Sequence, residues 1–338
     1  MAAHVVVGGF FGDEGKGKIA AYLARAYRPR YAVRTGATNA GHTVVDSGRV
    51  YRLRAVPSAL VEPSTVLLLA RGALVHLRVF LEEARGYRLE GRLFLDPATG
   101  VITDEHVERE RSDPYLMNHI GSTGTGVGAA MVDRVLRRLR PAGGYEELRG
   151  FLADTQSMLL DAVEAGERVL VEASQGYWLS LYHGTYPYVT SRDTTASAAL
   201  SEAGLGPRHA GRVTVVFKAF VTRVGGGPLP GELGRGEAEE RGWVEYGTVT
   251  GRPRRAAPFS PELARRAVRA NSATDVAVTK LDVLFPGARC ARSWDGLPVE
   301  ARRWLRWVEE EVGAPVSMVG TGEDVGCVVD RSRELGLE

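Results

Sequence analysis

Apolar positions along the chain fall into short continuous runs that predict buried strands. These runs do not alternate with polar positions, which is typical of strands covered on both faces of a sheet. The clearest runs lie at residues 4–7, 31–34, 65–70, 168–173, 212–220, 275–282 and 315–319. Longer segments between them repeat apolar positions at helical spacing, at 79–87, 145–166, 260–273 and 297–313. Because predicted strands and helices alternate, we expect an α/β fold with a mostly parallel central sheet and helices on both faces.

The same pattern contains no internal repeat, low-complexity tract or obvious linker, so residues 1–338 are predicted to form a single domain. Two glycine-rich loops, at 121–128 and 225–236, interrupt the alternation. Long loops inside a compact domain usually carry function. We therefore expect both loops to belong to an active site.

Composition and charge exclude several classes of protein. The 338 residues are 44% apolar and 25% charged, with a formal net charge of +2, so there is no basic excess for nucleic acid or an anionic membrane. No apolar run approaches the ~20 residues of a membrane span, and the first residues lack the pattern of a signal peptide. We expect a cytoplasmic protein that binds neither nucleic acid nor membrane, with Cys290 and Cys327 as buried thiols.

Lysine and the side-chain amides are rare in this chain, which makes the few that occur informative. Of 43 basic residues only four are lysines, namely Lys16, Lys18, Lys218 and Lys280. A lysine retained against this background is a candidate for chemistry that arginine cannot perform. The same argument applies to the amides, which include Asn39 and Gln175.

The segment GGFFGDEGKGKI, residues 8–19, has the form of a phosphate-binding turn between a strand and a helix. It is not a Walker A loop, because Gly17 rather than Ser or Thr follows Lys16. Backbone N–H groups at the start of the helix, together with Lys16 and Lys18, attract an anion. Asp13 would repel a phosphate unless it binds a metal ion or accepts a proton, so it is a candidate base, metal ligand or both. The alternative is a tight solvated turn.

A second motif, VTKLD at 278–282, follows a predicted strand. A Thr-Lys-x-Asp sequence in this position is typical of GTP-binding proteins, where the Asp accepts hydrogen bonds that guanine can donate and adenine cannot. The sequence VGTG at 319–322 ends the last predicted strand and is placed to complete a base pocket. Alone, VTKLD is equally compatible with a strand end that carries a surface lysine. Together with the phosphate loop it favours a guanine nucleotide.

Further loops carry polar groups suited to nucleotide chemistry. TNAGHT at 38–43 contains a histidine that can donate to a developing phosphate charge, and GSTGTGVG at 121–128 offers backbone N–H groups and hydroxyls. TVTGRPRR at 248–255 is suited to binding carboxylates in bidentate fashion. Each of these loops is also compatible with an ordinary solvated surface.

Taken in order, these motifs resemble those of the adenylosuccinate synthetases. The shared segments are GDEGKGK, NAGHT, GSTGTGVG, HGTYPYVTS, TRVGGGP, TGRPRR and TKLD, and they span residues 5 to about 322. The chain is similar to the compact form of the family found in archaea. The resemblance implies a P-loop-NTPase-like fold and a GTP-dependent ligase that joins IMP and L-aspartate through 6-phosphoryl-IMP. The products are adenylosuccinate, GDP and phosphate, in the first committed step of AMP synthesis from IMP.

The resemblance also implies roles for individual residues. Asp13 matches the catalytic base and, with the Gly41 carbonyl, a ligand of one Mg²⁺ per subunit; His42 matches a catalytic acid. The matches to GTP contacts are Gly12, Asp13, Glu14, Gly15, Lys16, Gly17, Lys18, Gly41, His42, Thr43, Arg254, Lys280, Leu281, Asp282, Gly320, Thr321 and Gly322. The matches to IMP contacts are Asp13, Lys16, Asn39, Ala40, Thr123, Arg137, Gln175, Thr190 and Arg252. The matches to aspartate contacts are Thr248, Val249, Thr250, Gly251, Arg252 and Arg254.

A homodimer is implied as well, because Arg137 matches an arginine that reaches the IMP site of the other subunit. It lies in AAMVDRVLRRLR, residues 129–140, which is predicted to be a helix with an apolar stripe and an arginine cluster. From spacing alone, the alternative is a core-facing helix with a solvated basic face.

The chain departs from the family pattern at Phe10 and Phe11, at Pro253 and at residues 320–323, while the catalytic positions are intact. Two other functions remain open. A GTP-binding switch with only hydrolytic activity needs neither a second nucleotide pocket nor an arginine-rich loop. A family variant could accept another purine nucleotide, although Asp13 favours IMP because IMP has an N1 proton to remove.

Overall fold

The computed structural model describes residues 3–247 and 251–337. The strands are β1 Ala3–Gly8, β2 Tyr31–Arg34, β3 His42–Asp46, β4 Arg49–Leu53, β5 Val66–Leu69, β6 Leu74–His76, β7 Leu93–Leu95, β8 Gly100–Ile102, β9 Val169–Glu172, β10 Ala210–Lys218, β11 Phe220–Arg223, β12 Arg255–Pro258, β13 Asp275–Thr279, β14 Val316–Gly320 and β15 Val328–Asp330. The α-helices are α1 Lys16–Tyr27, α2 Leu77–Gly86, α3 Asp104–Arg111, α4 Val127–Val135, α5 Thr155–Glu164, α6 Ala196–Ala203, α7 Arg235–Glu240, α8 Pro261–Ala270, α9 Leu281–Leu284 and α10 Val299–Val312. None of these helices is long and apolar enough to cross a membrane.

The centre of the fold is a nine-stranded sheet in the order β15-β14-β13-β10-β1-β9-β2-β5-β7. Neighbouring strands run parallel, except that the edge strand β15 pairs antiparallel with β14. Each apolar run singled out in the sequence supplies a strand of this sheet. The prediction of an α/β fold with a mostly parallel central sheet is therefore confirmed.

Both faces of the sheet are buried under helices. Along β1, Val5 and Val7 pack in one apolar cluster with residues of α6, α8 and α10, whereas Val6 packs in a second cluster with residues of α1 and α2. Successive side chains of a strand point to opposite faces. This alternation explains why the strands are apolar at nearly every position.

The parallel arrangement determines where function can lie. The carboxyl ends of parallel strands point the same way, so the loops that follow β1, β2, β9, β13 and β14 emerge at one edge of the sheet. These loops contain the glycine turn, the TNAGHT segment, Gln175, the TKLD segment and the GTG turn. Segments that are far apart in the sequence are thereby brought together.

Two predicted helices are shorter than the apolar spacing suggested. The segment 145–166 is divided into a 3₁₀ turn, Glu146–Phe151, and helix α5. The helix restarts because the Asp154 carboxylate accepts a hydrogen bond from the Ser157 N–H at 3.0 Å, an N-cap interaction. In the segment 129–140, α4 ends at Val135, and Arg137 has a φ of 60°, which a right-handed helix does not allow.

The expectation of two buried thiols is wrong, because Cys290 and Cys327 form a disulfide. The Cα atoms lie 4.5 Å apart although 37 residues separate the two cysteines in the sequence. The backbone on both sides is held by Thr321, whose carbonyl accepts from the Cys290 N–H at 2.6 Å and whose N–H donates to the Cys327 carbonyl at 3.0 Å. The disulfide therefore closes the GTG turn after β14, a pairing that two isolated cysteines cannot reveal in sequence.

Candidate active site

A cavity of about 750 Å³ opens at the edge of the sheet where these loops meet. Eighteen of the residues named from the sequence line it: Gly12, Asp13, Gly15, Lys16, Gly17, Lys18, Asn39, Ala40, Gly41, His42, Thr43, Thr123, Gln175, Thr190, Arg252, Arg254, Lys280 and Gly322. A cavity of this volume is within the range of small-molecule sites. Its lining mixes cations, amides and backbone N–H groups, which suits phosphorylated ligands.

The glycine turn is shaped by Glu14, which points inward and does not line the cavity. Its carboxylate accepts hydrogen bonds from the N–H groups of Phe10 and Gly12, at 3.0 and 2.8 Å, and from Lys16 Nζ at 2.6 Å. Gly12 and Gly15 have positive φ angles of 86° and 85°, which favour glycine. The second acid of the motif therefore holds the loop together, and the first acid remains at the cavity.

Helix α1 begins at Lys16 with its N-terminal N–H groups at the cavity, the arrangement that attracts anions. Gly17 has to be small, since a Cβ there would lie 2.8 Å from the His42 Cβ and 2.9 Å from Ser58 Oγ. Lys18 Nζ donates to the carbonyls of Gly322 and Cys327, the latter at 2.8 Å. Burial lowers the pKa of Lys18 to about 8. Lys18 thus ties the phosphate loop to the turn that the disulfide closes.

Asp13 forms a direct ion pair with Arg254 at the cavity wall, with 2.9 Å between Asp13 Oδ1 and Arg254 Nη2. Burial raises the pKa of the Asp13 carboxyl, and the positive charges of Arg254 and Lys218 oppose that rise. Asp13 also has a φ of 63°, an uncommon conformation for a residue with a side chain. A half-buried carboxylate held in this way is suited to accept a proton.

His42 is oriented by Glu172, a residue that the sequence analysis did not identify. His42 Nδ1 forms a short hydrogen bond with Glu172 Oε1, and the same carboxylate accepts from the Ser58 N–H at 2.7 Å and from Ser58 Oγ at 2.6 Å. Burial, assisted by the charge of Arg34, lowers the pKa of His42 to about 4. Burial alone would raise the pKa of Glu172, but His42 and Arg34 lower it. The Nδ1 side of the ring is therefore occupied by Glu172, and Nε2 is the nitrogen left for a ligand.

The segment after β13 contributes the far end of the cavity. Thr279 Oγ1 donates to the Glu14 carbonyl at 2.6 Å, which joins this strand end to the glycine turn. Lys280 has a φ of 59° and lines the cavity, whereas Leu281, Asp282, Gly320 and Thr321 do not. Asp282 Oδ1 is nevertheless buried without a hydrogen-bond partner in the described residues. Such an oxygen is available to a donor on a ligand.

On the opposite side lie the residues matched to IMP. Asn39 Oδ1 and Gln175 Oε1 are both buried, and neither has a hydrogen-bond partner among residues 3–247 and 251–337. Arg252 Nη2 donates to the carbonyls of Gly121 and Ser122, at 2.9 and 3.0 Å. This contact holds the arginine loop against the glycine-rich loop at 121–128.

Some predicted residues lie elsewhere. Arg137 and Gly251 are exposed and do not line the cavity. Thr248, Val249 and Thr250 lie outside the described residues. The cavity also contains residues that the motifs did not indicate, including Glu110 and Glu245. Glu172, which acts on His42 from outside the cavity lining, had one signal in the sequence, a charged residue inside the apolar run 168–173.

Comparison with known proteins identifies relatives of this chain. Residues 5–143 and 140–289 match the family model described as adenylosuccinate synthetase. An adenylosuccinate synthetase of Archaeoglobus fulgidus is 44% identical over 335 residues, which cover 99% of each chain.

Two solved structures resemble the fold. The first is fully ligated adenylosuccinate synthetase from Plasmodium falciparum, with a TM-score of 0.90 and 23% identity over 98% of this chain and 100% of that one. The second is succinoaminodeoxyadenylate synthetase of cyanophage S-2L, bound to dGMP and dATP, with a TM-score of 0.81 and 26% identity over 99% and 98% of the two chains.

The first structural likeness, at its low identity, establishes the shared architecture alone. The family match reaches from the phosphate loop at Gly12 past the Thr279 strand end, and the archaeal relative extends the match over nearly the entire chain. The segments that converge on the cavity lie within these matches. This chain belongs to the adenylosuccinate synthetase family.

Proposed function

We infer that this protein is a GTP-dependent ligase that joins IMP and L-aspartate to give adenylosuccinate, GDP and phosphate. The observation that carries the inference is the position of Asp13. Asp13 follows β1, near the centre of the sheet. Lys280 follows β13 on one side of β1, and Asn39 and Gln175 follow β2 and β9 on the other side; all four residues line the same cavity as the α1 phosphate loop. A base placed between a phosphate loop and a second set of polar groups is suited to activate one nucleotide for attack on the other.

The first step transfers a phosphoryl group. Asp13 accepts the N1 proton of IMP, the electrons move to O6, and O6 attacks the γ-phosphorus of GTP. The bond from that phosphorus to the β–γ bridging oxygen breaks, and GDP leaves. Lys16 and the α1 N-terminus stabilise the negative charge. The phosphate charges favour the imidazolium form of His42, which donates from Nε2–H to the transferred group while Glu172 accepts from Nδ1–H and holds the ring.

The second step forms the carbon–nitrogen bond. The amino nitrogen of aspartate attacks C6 of 6-phosphoryl-IMP, and the phosphate on O6 leaves. Arg252 and Arg254 lie in the cavity and supply planar guanidinium groups for the aspartate carboxylates. The breaking of the phosphate ester drives a reaction for which oxygen alone is a poor leaving group.

A Mg²⁺ ion, one per subunit, fits this arrangement. In the part of the chain that the structure describes, no group of three or more His, Cys, Asp or Glu side chains could hold a metal ion. Mg²⁺ is often bound by one or two carboxylates together with substrate phosphates. Asp13 supplies a carboxylate beside the phosphate loop, and the Gly41 carbonyl is the second protein ligand that we propose. When bound, the ion neutralises charge on the phosphates.

The test is an assay for absorbance change at the purine ring with IMP, GTP, aspartate and Mg²⁺. The change should require all three substrates. Phosphate release from GTP without IMP and aspartate would indicate a GTPase instead. Turnover with dGMP and dATP, but not with IMP and GTP, would show that this protein uses the nucleotides that are bound to the phage protein.

The guanine base provides a further prediction. We propose that Asp282 accepts hydrogen bonds from guanine, because its Oδ1 is buried and unpartnered in the described structure. Asp282→Asn replaces an acceptor with a donor facing the base, so the KM for GTP should rise at least about tenfold while that for IMP changes little. Asp295→Asn, a carboxyl-to-amide change at a highly exposed side chain, is the matched control. If the KM values for GTP and ITP both stay at wild-type levels in the Asp282 variant, another residue reads the base.

We also propose a homodimer with shared active sites. The side chains of Val132, Val135 and Leu136 are 55%, 66% and 50% exposed, and they form an apolar surface at the end of α4. Such a surface is typical of a contact between subunits. Arg137 follows it directly, so a subunit that docks there could receive Arg137 at its IMP phosphate.

Complementation tests the shared site. Arg137→Leu and Asp13→Ala chains should each be inactive, and mixing them should restore activity. A heterodimer contains one site with both residues intact, so random exchange predicts recovery up to about a quarter of wild type. Absence of recovery, with subunit exchange and folding of both variants verified, would place Arg137 outside the neighbouring site.

A further inference from the structure

A partly buried cluster of charges lies at the wall of the cavity beside Arg254, and its centre is Glu245. Glu245 Oε2 is 2.7 Å from Lys218 Nζ and 2.5 Å from Arg254 Nη1, while Oε1 is 3.6 Å from Lys280 Nζ. Arg254 in turn contacts Asp13. One carboxylate therefore serves three cations, and each cation comes from a different segment of the fold.

Lys218 shows that the cluster is more than a surface ion pair. Only 1% of this residue is exposed, and apart from Glu245 its Nζ has the Thr222 hydroxyl as a partner, at 2.5 Å. A buried ammonium group requires a counter-charge. Glu245 thus neutralises Lys218. An experiment on Glu245 has to distinguish this structural role from a role in the active site.

The geometry of the loop points to such a role. The Arg254 N–H donates to the Glu245 carbonyl at 2.9 Å, and the Gly247 N–H donates to the Arg252 carbonyl at 2.8 Å. Tyr246 and Pro253 form an antiparallel bridge between these contacts. Glu245 and Arg254 therefore face each other across the base of a hairpin-like loop. The ion pair at this base fixes the direction in which the Arg254 guanidinium points.

We propose that Glu245 is a positioning residue for aspartate binding, which holds Arg254 toward the cavity and couples it to Lys280. This rests on the proposed function, since Arg254 is an aspartate-binding residue only in that reaction. Loss of the Glu245 charge should free Arg254 to turn away. The KM for aspartate should then rise at least tenfold and that for GTP a few-fold, whereas the KM for IMP should stay within twofold.

Glu245→Gln is the first variant, because the amide has nearly the same shape but no charge. The second is the double variant Glu245→Gln with Lys218→Met, in which the buried cation is removed as well. The double variant removes both buried charges, so it remains informative if Glu245→Gln alone folds poorly. Glu245→Asp is the conservative variant and should recover part of the loss.

The KM values for aspartate, GTP and IMP and the melting temperature are measured for wild type and all three variants. We expect the double variant to regain the melting temperature and to keep the raised KM for aspartate. If it also regains the wild-type KM for aspartate, Glu245 only neutralises Lys218 and the proposal is wrong. An unchanged KM for aspartate in folded Glu245→Gln would overturn it too. Wild-type protein without IMP-, GTP- and aspartate-dependent turnover would instead overturn the proposed function, and the role of Glu245 with it.

Discussion

Asp13→Asn should abolish adenylosuccinate synthesis while GTP binding largely persists. The amide cannot accept the N1 proton of IMP, and loss of a general base typically costs about 10²–10⁴-fold in rate. The Lys16 contact and the α1 N-terminus do not depend on the Asp13 charge, because Glu14 holds the loop. Turnover is measured in the three-substrate assay, and GTP binding by titration calorimetry with and without Mg²⁺.

Asp46→Asn is the matched control, since it makes the same chemical change in a carboxylate that pairs with Arg25 away from the cavity. We expect its turnover to remain within about twofold of wild type, because Asp46 does not line the cavity. If folded Asp13→Asn retains more than a tenth of wild-type turnover, the base is a different group. If GTP binding is lost as well, the main role of Asp13 is to hold the nucleotide or its metal ion.

The fold was predictable because its strands are buried on both faces. Runs such as 4–7 and 65–70 are apolar at nearly every position, as expected for strands with helices on both faces. Helix ends were less predictable. In 145–166 the apolar spacing continues through Leu148 and Phe151 into α5, although the backbone breaks before the Asp154 cap. Spacing reports which side is buried and does not report whether the backbone is continuous.

The residues in and around the cavity also differ in how well the sequence predicts them. Contiguous loops such as 12–18 and 41–43 could be named from sequence, because neighbouring residues in a turn act together on one ligand. Glu172 and Glu245 could not be named, because each acts on a residue supplied by another segment. His42 and Glu172 are 130 positions apart, and only the parallel order of β2, β9 and β1 explains how they meet. The same applies to Cys290 and Cys327.

Glu172 leads to the second prediction with a large expected effect. Glu172→Gln should lower kcat by about 10²–10³-fold, with the KM for IMP nearly unchanged. The carboxylate accepts from His42 Nδ1 and so leaves the opposite nitrogen facing the cavity in a fixed orientation. A glutamine carries no charge to stabilise the imidazolium, and its N–H₂ group can face Nδ1, where it opposes protonation of that nitrogen. In the serine protease triad, where a carboxylate also orients a histidine, the corresponding carboxylate-to-amide change lowers kcat about 10⁴-fold.

Ser58→Ala is the control, because it removes another hydrogen bond to the same carboxylate and leaves the pair with His42 in place. If Glu172 orients the imidazole, Ser58→Ala should lower kcat only a few-fold, while Glu172→Gln shows the full loss at an unchanged affinity for GTP. If both variants lower kcat equally, Glu172 contributes packing and loop order rather than orientation. If folded Glu172→Gln keeps more than a third of the wild-type kcat, the orientation of His42 is not needed for phosphoryl transfer, and the charge on the transferred group must then be stabilised mainly by Lys16 and the N-terminus of α1.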